Sequence, residues 1–402
     1  EKPYYVRLVA DGETVLDVTG ARNVTLAGFE VTRGGAGPAG APLVRIGGAG
    51  SPTLEIQLRD MVIHDGRSDD LVRVGPEARQ VLVESSVLYN PGRGGSHLRV
   101  TGAEGLQVAG NIFFNAFAAD QPERTSAGSF LVLSRAGAGA AASRDVSVDR
   151  NIFLDWQGIA GGHFVTVGGG AGFPAAEQVL IESNLFAGNS PQPMAAPLGL
   201  DGARSLTFRA NTVAGDLPAA AYAVQLQRAA GAPANQDVRY FNNVWSDPTG
   251  TMADFSDGAR STVTGLQTQN NLYWNGGAPI PEDGEALSVR ADAAAVIGDP
   301  LLPDQAGLVP PVWDRQSKLF GGRYRTQRAA FEALAETART AGDSPAIDRA
   351  MGEQAPLIDL LGRPRGVPDI GALEQQPLTD ATPTPRPAGR RLYLPVARRG
   401  VR

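Results

Sequence analysis

The stretches Gly110-Asn111-Ile112-Phe113, Arg150-Asn151-Ile152-Phe153 and Ser183-Asn184-Leu185-Phe186 are three versions of one phrase. Working outward from them gives nine copies: Leu26 to Val31, Leu58 to Ile63, Val83 to Leu88, Val108 to Phe113, Val148 to Phe153, Ile181 to Phe186, Phe208 to Val213, Tyr240 to Trp245 and Thr268 to Tyr273. Successive copies lie 32, 25, 25, 40, 33, 27, 32 and 28 residues apart. A period of that size marks a solenoid, in which each repeat buries its core only against its neighbours. The fourth position of the phrase holds Phe29, Met61 and Ser86, and then Asn111, Asn151, Asn184, Asn211, Asn243 and Asn271.

The apolar runs are short, rich in Val, Ile, Leu and Phe, and bounded by Gly, Asn and Asp, which is strand grammar and not helix grammar. A second run lies between the phrases: Leu43 to Ile46, Leu71 to Val74, His97 to Val100, Phe130 to Leu133, Phe164 to Val167, Leu198 to Leu200 and Val224 to Leu226. Two or three such strands per repeat, stacked in parallel, predict an all-β parallel β-helix of about nine coils, roughly 43 Å long at the usual strand spacing. Stacked asparagines at one turn would pair with each other and with turn backbone hidden from water. Two positions later, Val31, Ile63, Leu88, Phe113, Phe153, Phe186, Val213, Trp245 and Tyr273 would fill the lumen. Four positions after the asparagine, Asp65, Asn90, Asn115, Asp155, Gly188, Gly215, Asp247 and Asn275 are residues that tolerate turn geometry.

These phrases resemble the repeat of right-handed parallel β-helix proteins of the pectin-lyase-like superfamily, over roughly residues 4 to 276. The resemblance implies the fold; the superfamily spans lyases, hydrolases, epimerases and adhesins, so it leaves the activity open. Polygalacturonase-like hydrolases share Asn-Thr-Asp, Asp-Asp, Gly-His-Gly and Arg-x-Lys motifs. Here only Asp69-Asp70 and Gly162-His163 answer to them, too many coils apart. Lyases with a lysine base fit poorly, because the only lysines are Lys2 and Lys318. A pectate-lyase-like mechanism would need a metal or arginine to acidify the proton beside a uronate carboxylate, and an arginine or histidine to remove it.

The chain has 402 residues, no cysteine, 50 glycines, 29 prolines and a net charge of −6. Absence of cysteine excludes a disulfide framework and thiolate metal sites. No apolar stretch is long enough for a membrane-spanning helix. Arginine outnumbers lysine 34 to 2, which reads as coding bias and not as nucleic-acid binding. The opening at Glu1, without methionine, reads as the inside of a longer precursor with a leader and early coils before it.

The domains expected are the β-helix at 1–280, a C-terminal cap region at 281–376, a Pro/Thr-rich linker at 377–389 and a terminal tail at 390–402. Residues 326–340 have helix-forming composition, with Phe331, Leu334, Ala335 and Ala338 on one face, and would cover the last coil. The segments Gly342 to Asp348 and Asp369 to Glu374 resemble the C-terminal module of secreted bacterial β-helix proteins. The tail, Arg391 to Val396 followed by Arg398 and Arg399, resembles a sorting tag on exported proteins of filamentous bacteria, or is a disordered basic end. An extracellular or cell-surface place, with envelope attachment through the tail, is the expectation.

In the second strand family, two-residue alternation turns Arg45, Arg73 and Arg99 outward in line, with Asp17 one coil earlier and Val132, Thr166 and Gly199 later. The same alternation puts His97 on the outward side with Arg99. Three stacked arginines suit a polysaccharide bearing carboxylates or sulfates, unless Asp17, Asp69 and Asp70 neutralise them or the C-terminal region lies over them. The catalytic candidates are Arg99, His97 and Arg73, and the substrate-binding candidates are Arg45, Arg73, Arg99, Asp120 and Arg124. The last two sit on an insertion between Asn111 and Asn151 that would wall the groove. Asp69 and Asp70 are read as a calcium site, a general acid–base pair or a solvated turn. His64, in a column with Tyr89, Phe114 and Leu154, reads as packed, and His163 as a turn residue. Two functions remain in competition: a polysaccharide-associating protein, with lyase activity on an acidic glycan as its catalytic form, or a non-catalytic rod of the cell envelope.

Overall fold

The computed structural model describes residues 5–375 apart from 12, 36–39, 68, 138, 169–171 and 227–230; the expected linker and tail lie outside the described residues. Each coil visits three parallel sheets in turn. Sheet C contains Arg22–Ala27 and its stacked equivalents, sheet A contains Phe29–Arg33 and its equivalents, and sheet B contains Val44–Ile46 and its equivalents. The sheets have ten, eleven and nine strands respectively, so the chain is a parallel β-helix.

The repeated phrase is the corner from sheet C to sheet A. Its third residue (Gly28, Asp60, Ser85, Gly110, Arg150, Ser183, Ala210, Asn242 or Asn270) is left-handed, with φ from 48° to 73°. Left-handed backbone costs a non-glycine residue roughly 1–2 kcal/mol, so the bend has to be compensated by the residue after it. The asparagine column does this. Asn151 Oδ1 accepts from the Asn111 backbone N–H and side-chain amide, both at 3.0 Å, and Asn151 Nδ2 donates to Val108 O at 2.8 Å and Asp149 O at 3.1 Å. The pattern repeats at Asn184, Asn211 and Asn243. It ends on Asp292, whose Oδ2 accepts from Asn271 Nδ2 at 2.7 Å and Tyr273 Oη at 2.9 Å. Substituting Asn151→Ala strips partners from the Asn111 N–H and the Val108 carbonyl at a fully buried corner. The expected loss is about 2–3 kcal/mol in urea unfolding; a loss within error would mean that the ladder contributes nothing to stability.

Inside the coils the predicted stack is present: Phe113–Phe153 and Phe153–Phe186 ring centroids are 4.9 and 4.8 Å apart with nearly parallel planes. Between its first and last strands, sheet A is buried on both faces. Its outward residues Val62, Val87, Tyr89, Ile112, Phe114, Ile152, Leu154 and Leu185 form a second core with Trp313, Phe320, Phe331, Leu334, Leu360 and Leu373.

The expected cap region therefore divides. Ala286 and Leu287 join the lumen core, with Ile280, Val289 and Ala295 packed against it at the C-terminal end. Residues from about 300 onward instead form a strap that runs back along sheet A. Trp313 reaches the first coils, packing 5.0 Å from Tyr5 and donating Nε1–H to Glu30 at 3.3 Å. The strap then returns: Gln327 Nε2 donates to Met61 O at 2.7 Å, Ser183 Oγ to Ile358 O at 3.2 Å, and the Ala372 N–H to Thr212 Oγ1 at 3.0 Å. Helix α1 (Gln327–Ala335) is started by Thr326 Oγ1, which accepts from the Ala329 N–H at 3.0 Å, and it buries Ala330, Phe331, Leu334 and Ala335. The predicted apolar helix face is the one that packs, but it packs on the side of the solenoid and not over its end.

Candidate functional site

Between its two-residue end strands, Leu16–Asp17 and Ser256–Asp257, each sheet-B strand is three or four residues long, with its first and third side chains in the lumen and its second outward. The register stacks Asp17 on Arg45, Arg45 on Arg73, Arg73 on Arg99, Arg99 on Val132, Val132 on Thr166, Thr166 on Gly199 and Gly199 on Gln225. The three arginines do line up outside, each about a third exposed.

Like charges so close need counter-charge between them, and Asp70 supplies it. Its side chain is fully buried. Arg73 donates to Asp70 Oδ2 through Nε at 3.0 Å and a terminal nitrogen at 2.8 Å; Arg99 Nε lies 3.0 Å from both oxygens; the Ser96 N–H donates at 2.8 Å. Asp69 accepts from Arg73 at 2.7 Å, and Asp17 pairs with Arg45 at 3.3 Å. Three arginines thus face three aspartates, and the stripe is locally neutral. Burial pulls the Arg73 guanidinium down, but Asp70 and Asp69 outweigh it and the net direction is up. Arg73 is therefore held protonated and is no base.

Three of the expected roles are corrected here. Asp69 and Asp70 are not a calcium site, because a calcium ion needs six to eight oxygen ligands and the Asp70 oxygens are saturated by arginine and backbone donors. Nor are they a solvated turn, since Asp70 is buried, or an acid–base pair open to substrate, since both carboxylates are engaged by Arg73. His97 is not outward: it is fully buried, its ring 4.3 Å from Phe130, with Nε2 2.7 Å from Phe114 O. Alternation fails because His97 precedes the strand, at the bend into sheet B, where Leu43, Leu71, Phe130 and Phe164 also turn inward. Burial drives its pKa down to about 3, with the Phe114 carbonyl and Asn115 opposing, so it neither touches the stripe nor holds a proton at neutral pH.

Asp120 is exposed and Arg124 half-buried on the insertion, and no described hydrogen bond or ion pair joins either to the arginines. The insertion is tied to the preceding coil: Ser126 O accepts from the Gly94 N–H at 2.8 Å, and the Gly128 N–H donates to Gly95 O at 2.7 Å. Gly95 is required there, since a Cβ would come within 2.3 Å of the Asp69 carbonyl.

Farther along the same outer face lies a network that strand alternation does not reveal. His163 is buried, with Nδ1 3.2 Å from Thr166 Oγ1 and Nε2 3.3 Å from Gln225 Oε1; Gln225 Nε2 donates to Asp257 Oδ2 at 2.8 Å. Because the Gln225 amide N–H faces Asp257, its oxygen accepts from His163 Nε2–H, which leaves Nδ1 to accept from Thr166. Ser129 Oγ closes the chain 2.8 Å from Thr166 Oγ1. Gly199 makes room for the ring, as a Cβ would lie 2.6 Å from it. That glycine, in register with Thr166 three residues after the histidine, is the signal the sequence offers. Near the end of this line, Asp254, Asp283 and Glu285 bring carboxylate oxygens within 4.8 Å of one another, the one such group among the described residues. Burial, then neighbouring carboxylates, push Asp254 and Glu285 upward against opposing backbone hydrogen bonds. His64 is packed as expected, stacked 4.8 Å from Tyr89 and 2.8 Å from Asp65.

No family model matches the chain, and no curated protein matches it. Solved structures do. A tailspike protein mutant of E. coli bacteriophage HK620 in complex with pentasaccharide aligns at 12% identity and TM-score 0.38, covering 69% of this chain and 55% of that one. This chain thus spans about half the length of that tailspike. Pectate lyase Pel9A aligns at 12% identity and TM-score 0.43, covering 93% and 87%. The Streptococcus pneumoniae surface protein and adhesin PfbA aligns at 10% identity and TM-score 0.33, covering 67% and 80%.

Proposed function

We propose that the chain associates with polysaccharide along the outer face of sheet B, and that it binds without cleaving. The observation that carries this is the neutral array of Arg45, Arg73 and Arg99 with Asp17, Asp69 and Asp70, continued by Thr166, Gln225 and Asp257. Sugar hydroxyls both donate and accept, and the accessible guanidiniums of Arg45, Arg73 and Arg99, the exposed carboxylates of Asp17 and Asp257 and the half-exposed Gln225 amide meet them on both counts. Such a face favours a neutral or sparsely charged glycan over a densely anionic one. Turnover by the arginines is disfavoured because Asp70 holds both Arg73 and Arg99. In this reading the chain works outside the cell or at its surface, and segment 390–402 attaches it to the envelope.

The test is affinity electrophoresis of the full chain on neutral and acidic polysaccharides, with absorbance of unsaturated uronates followed in parallel. The expected result is retention by a neutral glycan that changes by less than about threefold with added salt, since exposed neutral pairs have little net charge to screen, and that weakens in Arg45→Ala. Retention by no polysaccharide refutes the proposal. New absorbance that disappears in Arg99→Ala would replace it with the lyase reading.

A further inference from the structure

We propose that the cleft between helix α1 and the corner of sheets C and A binds a small organic cation with an apolar body. The cleft measures about 450 Å³, within the usual range for small-molecule sites. It exists because the strap stands off the solenoid at one place. Farther along, the strap is tied to the corner residues, with Ser183 bonded to Ile358, Asn242 to Met351 and Asn270 to Arg349. Asp60, Ser85 and Gly110 themselves take no described hydrogen bond from the strap, which is tied to this stretch of the corner at its edge by Gln327 Nε2 to Met61 O, and Gly110 offers no side chain to fill the gap.

The walls have two characters. Val87 and Ile112 from sheet A face Phe331 and Leu361 from the strap, which makes an apolar slot. The rim carries Asp60, Glu84, Arg150 and Arg328, and these charges are unequally satisfied. Arg150 is held by Asp149 at 2.8 and 3.0 Å, and Arg328 by Glu332 at 2.6 Å. Asp60, by contrast, accepts no side-chain hydrogen bond from any described residue, and Glu84 has only Arg59 at 3.4 Å. Burial, followed by the Glu84 charge, pushes the Asp60 carboxyl upward against Arg59. The open electrostatic demand of the cleft is therefore for a cation beside Asp60 and Glu84. An anion would meet arginines that already have partners. A protonated primary amine on an apolar body satisfies both walls at once.

Amine binding does not depend on glycan binding and is tested separately, by calorimetric titration of the full chain with phenethylamine, 2-phenylethanol and phenylacetate at neutral pH. Phenethylamine is expected to bind about tenfold or more tighter than the alcohol, the gain of one charge-assisted hydrogen bond, with phenylacetate weakest. In Asp60→Asn/Glu84→Gln the amine should fall to the affinity of the alcohol. Asparagine tolerates the left-handed backbone at position 60, so an unchanged near-UV spectrum is expected and confirms that the variant is folded. Equal binding of amine and alcohol, amine binding that survives the double substitution, or no amine binding at millimolar concentration would each overturn the proposal.

Discussion

Asp70→Ala is expected to destabilise the chain by about 2–3 kcal/mol, the loss of charge-assisted hydrogen bonds together with a buried Ser96 N–H left without its acceptor. In the parent, Asp70 takes two hydrogen bonds from Arg73, Arg99 Nε at 3.0 Å from both its oxygens, and one from the Ser96 N–H, with no exposure of its own side chain. Its removal leaves two guanidiniums, each about a third exposed, one strand apart, with Asp69 paired to Arg73 alone. Urea unfolding of Asp70→Ala against Asp70→Leu/Arg73→Leu/Arg99→Leu separates the causes. Recovery of most of the loss in the triple variant identifies uncompensated charge. A single-variant loss below about 1 kcal/mol, the range of an exposed pair, would show that the cluster does not anchor this face.

His97→Phe should make the chain markedly more resistant to acid. The folded-state pKa is depressed to about 3 by burial, while an unfolded histidine titrates near 6.5. As pH falls below 6.5 the unfolded chain takes up a proton that the folded chain refuses, so stability drops through that window. The loss attributable to His97 is about 2 kcal/mol at pH 5 and on the order of 4 kcal/mol near pH 3. Phenylalanine already occupies the equivalent position at Phe130 and Phe164, so the site accepts it. Thermal unfolding of both chains at pH 7, 5 and 4 is the measurement, and parallel curves would show that His97 is not the acid-sensitive group. His64 acts in the opposite sense. Burial lowers its pKa, but Asp65 and Glu30 outweigh that and raise it. Its contribution is full below 6.5 and disappears as pH rises through its folded value, outside the acid limb.

The two sides of the arginine stripe show where inference from the chain succeeds and fails. Arg45, Arg73 and Arg99 fall in line because each is near the centre of a straight short strand, where alternation is a matter of local geometry. His97, two residues from Arg99, departs from alternation because the chain bends before the strand begins. The column Leu43, Leu71, Phe130 and Phe164 carries the correct answer, since a polar residue stacked among four large apolar ones shares their environment. The neutralising part of Asp70 is one of several readings open in the sequence. Only the folded chain brings its carboxylate to Arg73 and Arg99 and not out of the turn.

The period, the asparagine ladder, the aromatic stack and the amphipathic helix are determined by sequence alone, because each depends on contacts between equivalent residues one coil apart or on a single turn of helix. The course of the strap, the cleft beneath α1, the His163–Gln225–Asp257 network and the burial of sheet A on both faces were decided by tertiary structure. These join residues separated by up to 283 positions, whose pairing depends on which apolar surfaces remain uncovered once the solenoid has formed. No local pattern encodes that choice. Three consecutive apolar residues at Ile112, Phe113 and Phe114 state that both faces are covered, but not by what.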